Sequence, residues 1–354
     1  MKNMITIFTF IAVLQVLAGY VCAKGIYFVT KITWLSVAVV LLSITAPLSF
    51  GAIRNSLKCY WLTDLICNIG YIYLGFILYF SIFCASAFIV YKFNSEIDLQ
   101  KVLAGGLIAV LLILLAGYIN ALNPRLKKIK IPYNHNLKIC FVSDIHVGSI
   151  NTMTTLEKVS TLIAHANPDV VILGGDIIDM RGLRNYGDEF VIAMQKITSK
   201  YKTYAVIGNH EIYTGAQDCI NLMKKAGINM LLDSCVAFDN LNIVGRLDET
   251  VYRRKSLHEI ISNGAENIVV VDHSPASIDE SIKNKVFLHL SGHTHGGQIF
   301  PLNLLTSFLY KPTAVLDKDC DTYFYISTGA GFWGPPYRIG NIPEVVLIKL
   351  EKNK

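Results

Sequence analysis

Four apolar runs, Met4–Ala23, Thr33–Ile53, Ile66–Tyr91 and Val102–Leu122, occupy the first third of this 354-residue chain. Each is long enough to cross a hydrocarbon core of about 30 Å as a helix. A chain that starts this way must either place those residues in a bilayer or hide them in an outsized core. Composition favours the bilayer, because 53% of the residues are hydrophobic and only 16% are charged. All nine histidines lie at or after His135, so apolar and chemistry-bearing residues are segregated along the chain.

The sequence therefore predicts an N-terminal all-α four-helix transmembrane region over residues 1–123, a basic linker over 124–133 and an α/β C-terminal domain over 134–354. In the linker Pro124 ends the last helix, and Arg125, Lys127, Lys128 and Lys130 face anionic headgroups. Four spans return both ends to one side. That side carries Lys2, Arg54, Lys58 and the linker cations, whereas the other carries Lys24, Lys31, Lys92 and Lys101, diluted by Glu96 and Asp98. The bias predicts a multi-pass protein of the plasma (inner) membrane with its C-terminal domain in the cytoplasm. The first run also has the pattern of a signal peptide ending at Val21-Cys22-Ala23, and its removal would leave that orientation unchanged. The net charge of +6 resides mostly in these flanks, so no nucleic-acid partner is expected. The eight cysteines show no Cys-x-x-Cys spacing, and those of the C-terminal domain read as buried, reduced thiols. Oligomeric state is left open.

Beyond residue 134 short β-rich runs recur at Leu137–Val142, Val170–Leu173, Thr203–Ile207, Ile268–Val271, Val286–Leu290, Tyr323–Ser327 and Val345–Leu350. Thr154–Ala166 has helical spacing in Leu156, Val159, Leu162 and Ile163 and is closed by Asn167-Pro168. Strand, helix, strand is an α/β pattern, and in such folds ligands gather at the carboxyl ends of strands. The first five runs each lead into a polar cluster: Ser143-Asp144-Ile145-His146, Gly174-Gly175-Asp176-Ile177-Ile178-Asp179, Gly208-Asn209-His210-Glu211, Asp272-His273-Ser274-Pro275 and Ser291-Gly292-His293-Thr294-His295-Gly296-Gly297-Gln298. Any one of these strings arises by chance, but five in this order at strand ends point to a shared site.

In this order the clusters resemble the signature of the calcineurin-like metallophosphoesterases: D-x-H, G-D-x-x-D, G-N-H-[DE], an isolated His and G-H-x-H. The Gly-Gly-Gln extension, with the tail from Ser327-Thr328-Gly329 through Pro336-Tyr337-Arg338 to Pro343-Glu344, is similar to the membrane-anchored YkuE-like subgroup. The resemblance implies an αββα sandwich and two divalent or trivalent metal ions per chain. By it, Asp144, His146 and His295 would hold one ion, Asn209, His273 and His293 the other, and Asp176 would bridge them. His210 would be the catalytic proton donor, with Asp179 and Glu211 supporting the ligands and Gln298 and Arg338 contacting substrate. His135, His165, His258 and His289 have no place in the signature and read as structural.

Phosphoester hydrolysis needs a nucleophile at neutral pH and neutralised phosphoryl charge. Two ions about 3.5–4 Å apart supply both, their bridging hydroxide attacking phosphorus. Mixed carboxylate, imidazole and amide ligands suit Mn, Fe or Zn. The implied activity is hydrolysis of a phosphodiester or pyrophosphate in a phosphorylated small molecule, a lipid or a lipid-linked substrate. The lipid class is suggested by the apolar segments around Phe300, Phe308, Phe332 and Trp333, which would also meet membrane lipids. A nucleotide or cyclic-nucleotide phosphodiesterase would use the same centre. A non-catalytic membrane scaffold is the alternative from another class, and the complete signature argues against it.

Overall fold

The structure is a computed structural model that describes residues 2–51, 60–148, 151–251, 253–261, 264–310 and 315–352; Arg54, Lys58 and Cys59 lie outside them. The chain divides into two compact units, Met1–Tyr118 with Gly334–Tyr337, and Ile119–Trp333 with Arg338–Lys354.

The first unit is helical: α1 (Lys2–Thr30), α2 (Thr33–Gly51), α3 (Tyr60–Phe93) and most of α4 (Leu99–Ala121). Among the described residues three stretches are long and apolar enough to cross a membrane: Val13–Thr30, Asp64–Phe93 and Leu99–Ala121. The described apolar part of the second expected span, Thr33–Ile44, is shorter. Some polar groups pair between helices, as an apolar surrounding favours. The Tyr73 hydroxyl lies 2.5 Å from Ser43 Oγ and donates to the Val39 carbonyl at 2.9 Å, joining α2 to α3.

The second unit contains two six-stranded sheets. In chain order its elements are β1 (Arg125–Pro132), β2 (Leu137–Val142), α5 (Met153–Ala166), β3 (Val170–Leu173), α6 (Met180–Thr198), β4 (Lys202–Ala205), α7 (Asn209–Lys225), β5 (Asn229–Met230), β6 (Ser234–Phe238), β7 (Leu241–Gly245), α8 (Leu257–Ile260), β8 (Ile268–Val271), α9 (Ile278–Lys283), β9 (Leu288–Ser291), α10 (Leu302–Leu309), β10 (Leu316–Asp319), β11 (Thr322–Ile326) and β12 (Glu344–Glu351). The sheet orders are β1-β12-β2-β3-β4-β5 and β10-β11-β9-β8-β7-β6. Pairing is parallel from β2 through β5 and from β7 through β9 to β11, with antiparallel pairs at β2–β12, β6–β7 and β10–β11.

The period-2 rule sets the layers. Ile139, Phe141, Val170 and Ile172 face the opposite sheet and meet Ile243, Val269, Leu288 and Tyr325 in one buried cluster. Their neighbours Cys140, Val142, Val171 and Leu173 face outward onto Leu156, Val159, Phe190, Met194 and Met223 of α5, α6 and α7. The outer face of the second sheet is covered by Leu257 of α8 and Ile278 of α9. This is the αββα sandwich.

Two expectations change. The segment 124–133 is not a tether, because Arg125–Pro132 pairs in parallel along the whole of β12 as an edge strand. Its lysines and terminal proline are what an exposed edge carries to discourage pairing with other chains, so a strand reads as a basic linker. Of the domain cysteines, Cys140 and Cys219 are buried, but Cys235 and Cys320 are exposed.

Candidate metal centre

The polar clusters follow β2, β3, β4, β8 and β9, whose carboxyl ends gather at one edge of the sandwich. The turns there are tight. Asp144, His146, Asp176, His293 and His295 all take left-handed backbone conformations, with φ between 50 and 67°. Such φ values in non-glycine residues cost of order 1–3 kcal/mol each and persist where the surroundings fix them. Gly208 and Gly292 permit the close approach of these turns: a Cβ on Gly208 would collide with Asp176 Oδ1, and one on Gly292 with Asp144 Oδ2.

Two groups of donor atoms result. In the first, His146 Nε2 and His295 Nε2 lie 3.0 Å apart, with Asp144 Oδ1 at 4.0 Å and 3.6 Å from them respectively. In the second, His273 Nε2 lies 3.1 Å from Asp176 Oδ2 and 3.2 Å from Asn209 Oδ1, and His293 Nδ1 lies 3.0 Å from the same amide oxygen. Asp176 Oδ2 is also 3.7 Å from His146 Nε2, so one carboxylate oxygen stands between the groups. His273 shows why a cation fits. Its Nδ1 lies 2.8 Å from the Gly174 carbonyl and donates to it, which leaves Nε2 a lone pair aimed at two oxygen acceptors. Acceptors facing acceptors repel unless a proton or a metal ion lies between them. Spacings near 3 Å are those of two ligands about 2.1 Å from one ion at a right-angled geometry.

The electrostatics agree. Burial opposes charging of His146, but Asp179, Asp176 and Asp144 outweigh it and raise its pKa to about 9. Burial likewise opposes charging of His273, yet Asp176 and Asp144 carry its pKa well above the ordinary value. Burial would raise Asp176, but His273, His146 and His210 hold it far below the ordinary carboxylate range. The pocket is thus built for positive charge shared among these groups. His295 differs, because burial and the Arg338 charge hold its pKa well below normal and keep the ring neutral.

The supporting residues take distinct parts. Asp179 Oδ1 accepts from His146 Nδ1 at 3.1 Å and His210 Nδ1 at 2.8 Å, tying a candidate ligand to the candidate proton donor. Glu211 touches no ligating histidine; it accepts the backbone N–H groups of Asp176, Ile177, Ile178 and Gly208 at 2.6–3.1 Å and so fixes the Asp176 turn. Arg338, expected at substrate, is buried. Its donors go to the Gly331 and His295 carbonyls, Asn341 Oδ1 and His295 Nδ1, which leaves none for a ligand. Gln298 also departs from expectation, since its amide accepts the Trp333 N–H at 3.0 Å and donates to the Trp333 carbonyl at 2.9 Å. Trp333 is the residue whose place the sequence did not reveal. It is half-exposed and sets its ring edge-on to His210, 5.6 Å between centroids. Of the histidines outside the signature, His135, His165 and His258 are exposed and His289 is buried against Ser281.

Residues 137–297, from the first residue of β2 to just past the last candidate ligand, His295, match the calcineurin-like phosphoesterase family. The chain carries a calcineurin-like metallophosphoesterase domain. An uncharacterized metallophosphoesterase of Campylobacter jejuni is 31% identical over 244 residues, 65% of this chain and 62% of that one. A transmembrane protein with metallophosphoesterase domain from Danio rerio is 28% identical over 283 residues, 72% of this chain and 63% of its own length. The chain thus spans about three fifths of the length of the Campylobacter jejuni and Helicobacter pylori relatives it matches. Among solved structures, the 5'-nucleotidase precursor of Thermus thermophilus is similar to this chain at a TM-score of 0.39 and 14% identity, covering 61% of this chain and 55% of that one. The apolar helices and the transmembrane relatives together support membrane association.

Proposed function

We propose that this chain is a membrane-anchored phosphoester hydrolase using two metal ions of the Mn, Fe or Zn type. The observation that carries the reading is Asp176 Oδ2 standing between two groups of imidazole and carboxylate donors. Asp144, His146 and His295 would hold one ion and Asn209, His273 and His293 the other, with Asp176 shared. When bound, the ions would neutralise phosphoryl charge and lower the pKa of the attacking water. Asp179 orients His210 through its Nδ1, so the other ring nitrogen is left to donate a proton to the leaving oxygen, a contribution typically worth about 10² to 10⁴ in rate. Glu211 keeps the Asp176 turn in register, and Arg338 holds the His295 ring.

The substrate we propose is a phosphodiester or pyrophosphate on a lipid or lipid-linked molecule, supported by exposed apolar side chains near the site, including Trp333. A second reading, a nucleotide or cyclic-nucleotide phosphodiesterase, is favoured by the same indole, which offers a planar face beside His210. Turnover of both classes by the purified protein separates them. The test of the centre itself is hydrolysis of a chromogenic phosphodiester and a monoester in mild detergent with added Mn, beside Asp176→Ala and His210→Ala. Metal-dependent turnover lost in both variants, with bound metal reduced only in Asp176→Ala, is the expected result. Full turnover by Asp176→Ala would refute the reading.

A further inference from the structure

Helix α10, Leu302–Leu309, is inside out. Leu302, Leu304, Leu305, Phe308 and Leu309 are exposed, Phe308 by 85%, while the polar Asn303 and Thr306 are half-buried. A helix at a protein–water boundary shows the reverse pattern, with its apolar stripe against the core. Contiguous apolar surface of this kind marks a place where something other than water belongs.

The surroundings of α10 identify the occupant. The Phe300 N–H donates to the Ile339 carbonyl at 2.8 Å and the Ile339 N–H to Gln298, so the entry to α10 is joined to the loop around Arg338. The end of the last candidate span is bonded to that same loop. Asn120, in the final turn of α4, donates to the Arg338 and Asn341 carbonyls at 2.9 and 2.8 Å. Lys158 of α5 caps the adjoining Leu122 carbonyl at 2.7 Å. Next to it, Arg125 donates its N–H to Pro343, beside the exposed Ile342, and its side chain is exposed. The point where the chain leaves a candidate span, an exposed basic residue and the inverted helix therefore belong to one connected part of the domain.

We propose that α10 lies in the lipid interface, its leucines and Phe308 seated among acyl chains and Arg125 at anionic headgroups, with the metal centre opening at headgroup level. An interfacial helix of this type sinks its apolar face roughly 5–10 Å into the headgroup and acyl boundary. A cation beside it adds attraction to an anionic surface. Since Gln298 links α10 to Trp333, and Trp333 touches His210, the seated helix would hold the rim of the site against a lipid phosphoester. The seating deepens the lipid reading above and rests on it only for the substrate.

The test uses the full chain in nanodiscs of phosphatidylcholine and phosphatidylglycerol carrying doxyl-labelled lipid. An environment-sensitive fluorescent amino acid is placed at position 308 or, as a control, at exposed position 200. Blue-shifted emission at 308, with quenching by the doxyl lipid several-fold greater than at 200, is expected. Equal quenching at the two positions overturns the proposal. So does emission at 308 that is shifted yet insensitive to the lipid quencher, which would mean that protein, from this chain or a second copy, covers the helix. As a functional arm, the double variant Leu305→Glu with Phe308→Glu should lower the ratio of vesicle-borne to soluble phosphodiester turnover at least ten-fold, and an unchanged ratio counts against the seating. Quenching is read without turnover, so failure of catalysis on every substrate remains distinct from failure of α10 to enter lipid.

Discussion

Arg338 separates two roles that a sequence cannot. An arginine near a phosphate site is a natural bidentate partner for substrate, but here the guanidinium is buried and committed to the Gly331 and His295 carbonyls, Asn341 and the His295 ring. A positioning role predicts that Arg338→Met weakens metal binding about 10- to 100-fold and lowers stability by about 2–4 kcal/mol, while KM for a soluble phosphodiester stays near the parent value. Metal titration and thermal unfolding of the same preparations check this; a raised KM with unchanged metal affinity would return Arg338 to the substrate. The candidate ligands were legible at this scale because carboxylate, imidazole and amide residues clustered after β-rich runs have few other uses. The directions of Arg338, Gln298 and Glu211 were not, since each bonds to groups that only the fold brings to it: His295 for Arg338, Trp333 for Gln298, and the N–H groups of Asp176, Ile177 and Ile178 for Glu211. Trp333 read only as part of an apolar segment, because its contact with His210 spans more than a hundred residues of chain.

Strand ends and the first turn of α7, which carries Asn209, His210 and Glu211, hold the site, and glycines at these turns set how closely they approach. Gly208→Ala changes no ligand, yet its methyl would meet Asp176 Oδ1 and crowd His273 Nε2. The expected result is loss of at least one bound metal and a fall in kcat of about 10² or more, read by metal analysis and steady-state kinetics, as misplacement by about 1 Å costs on that order. β9 offers a pH prediction independent of the metal groups. Its His289 is buried, its Nε2 has no hydrogen-bond partner among the described residues, and burial together with the charges of Arg246 and Arg254 lowers its pKa to about 3. The unfolded chain takes up a proton near pH 6.5 and the folded one resists it until about 3, so folding loses stability as pH falls through that window. Unfolding of metal-free protein followed from pH 7 to 4 should show the parent losing a few kcal/mol more than His289→Gln. Equal pH slopes would show that His289 is not the group responsible. The parallel strands β3 and β8 were legible to the residue because they are buried on both faces and read as continuous apolar runs, and β2 because only Lys138 interrupts such a run. The edge strand β1 was not, because its lysines read as a linker, nor was the hairpin β6–β7, because its strands are short and no polar cluster of the signature follows them, although β7 is largely buried.

At the scale of the whole molecule the open question is on which side of the membrane the metallophosphoesterase domain works. Arg125, Lys127, Lys128 and Lys130 follow the last candidate span directly, whereas the short connection between α3 and α4 is flanked by Lys92 in the last turn of α3 and Lys101 in the first turn of α4 and itself carries Glu96 and Asp98. Cations near the ends of short loops are retained on the cytoplasmic side, and acids contribute little to that choice, so the stronger cluster should fix the domain there. That β1 is a strand, and not a free linker, does not alter the argument, since its lysines are still translated next to the span. The location also suits the chemistry: exposed Cys235 and Cys320 would stay reduced in the cytosol, where disulfides are rare. A fluorescent protein that matures only in the cytoplasm, fused after residue 352, should be bright, and a fused periplasmic phosphatase inactive. Replacing Lys127, Lys128 and Lys130 with glutamine while adding lysines at the α3–α4 connection should shift a measurable fraction of chains to the opposite orientation. A dark fusion with an active phosphatase in the parent chain would place the domain outside and remove the cytoplasmic pool of phosphoesters from consideration as its substrates.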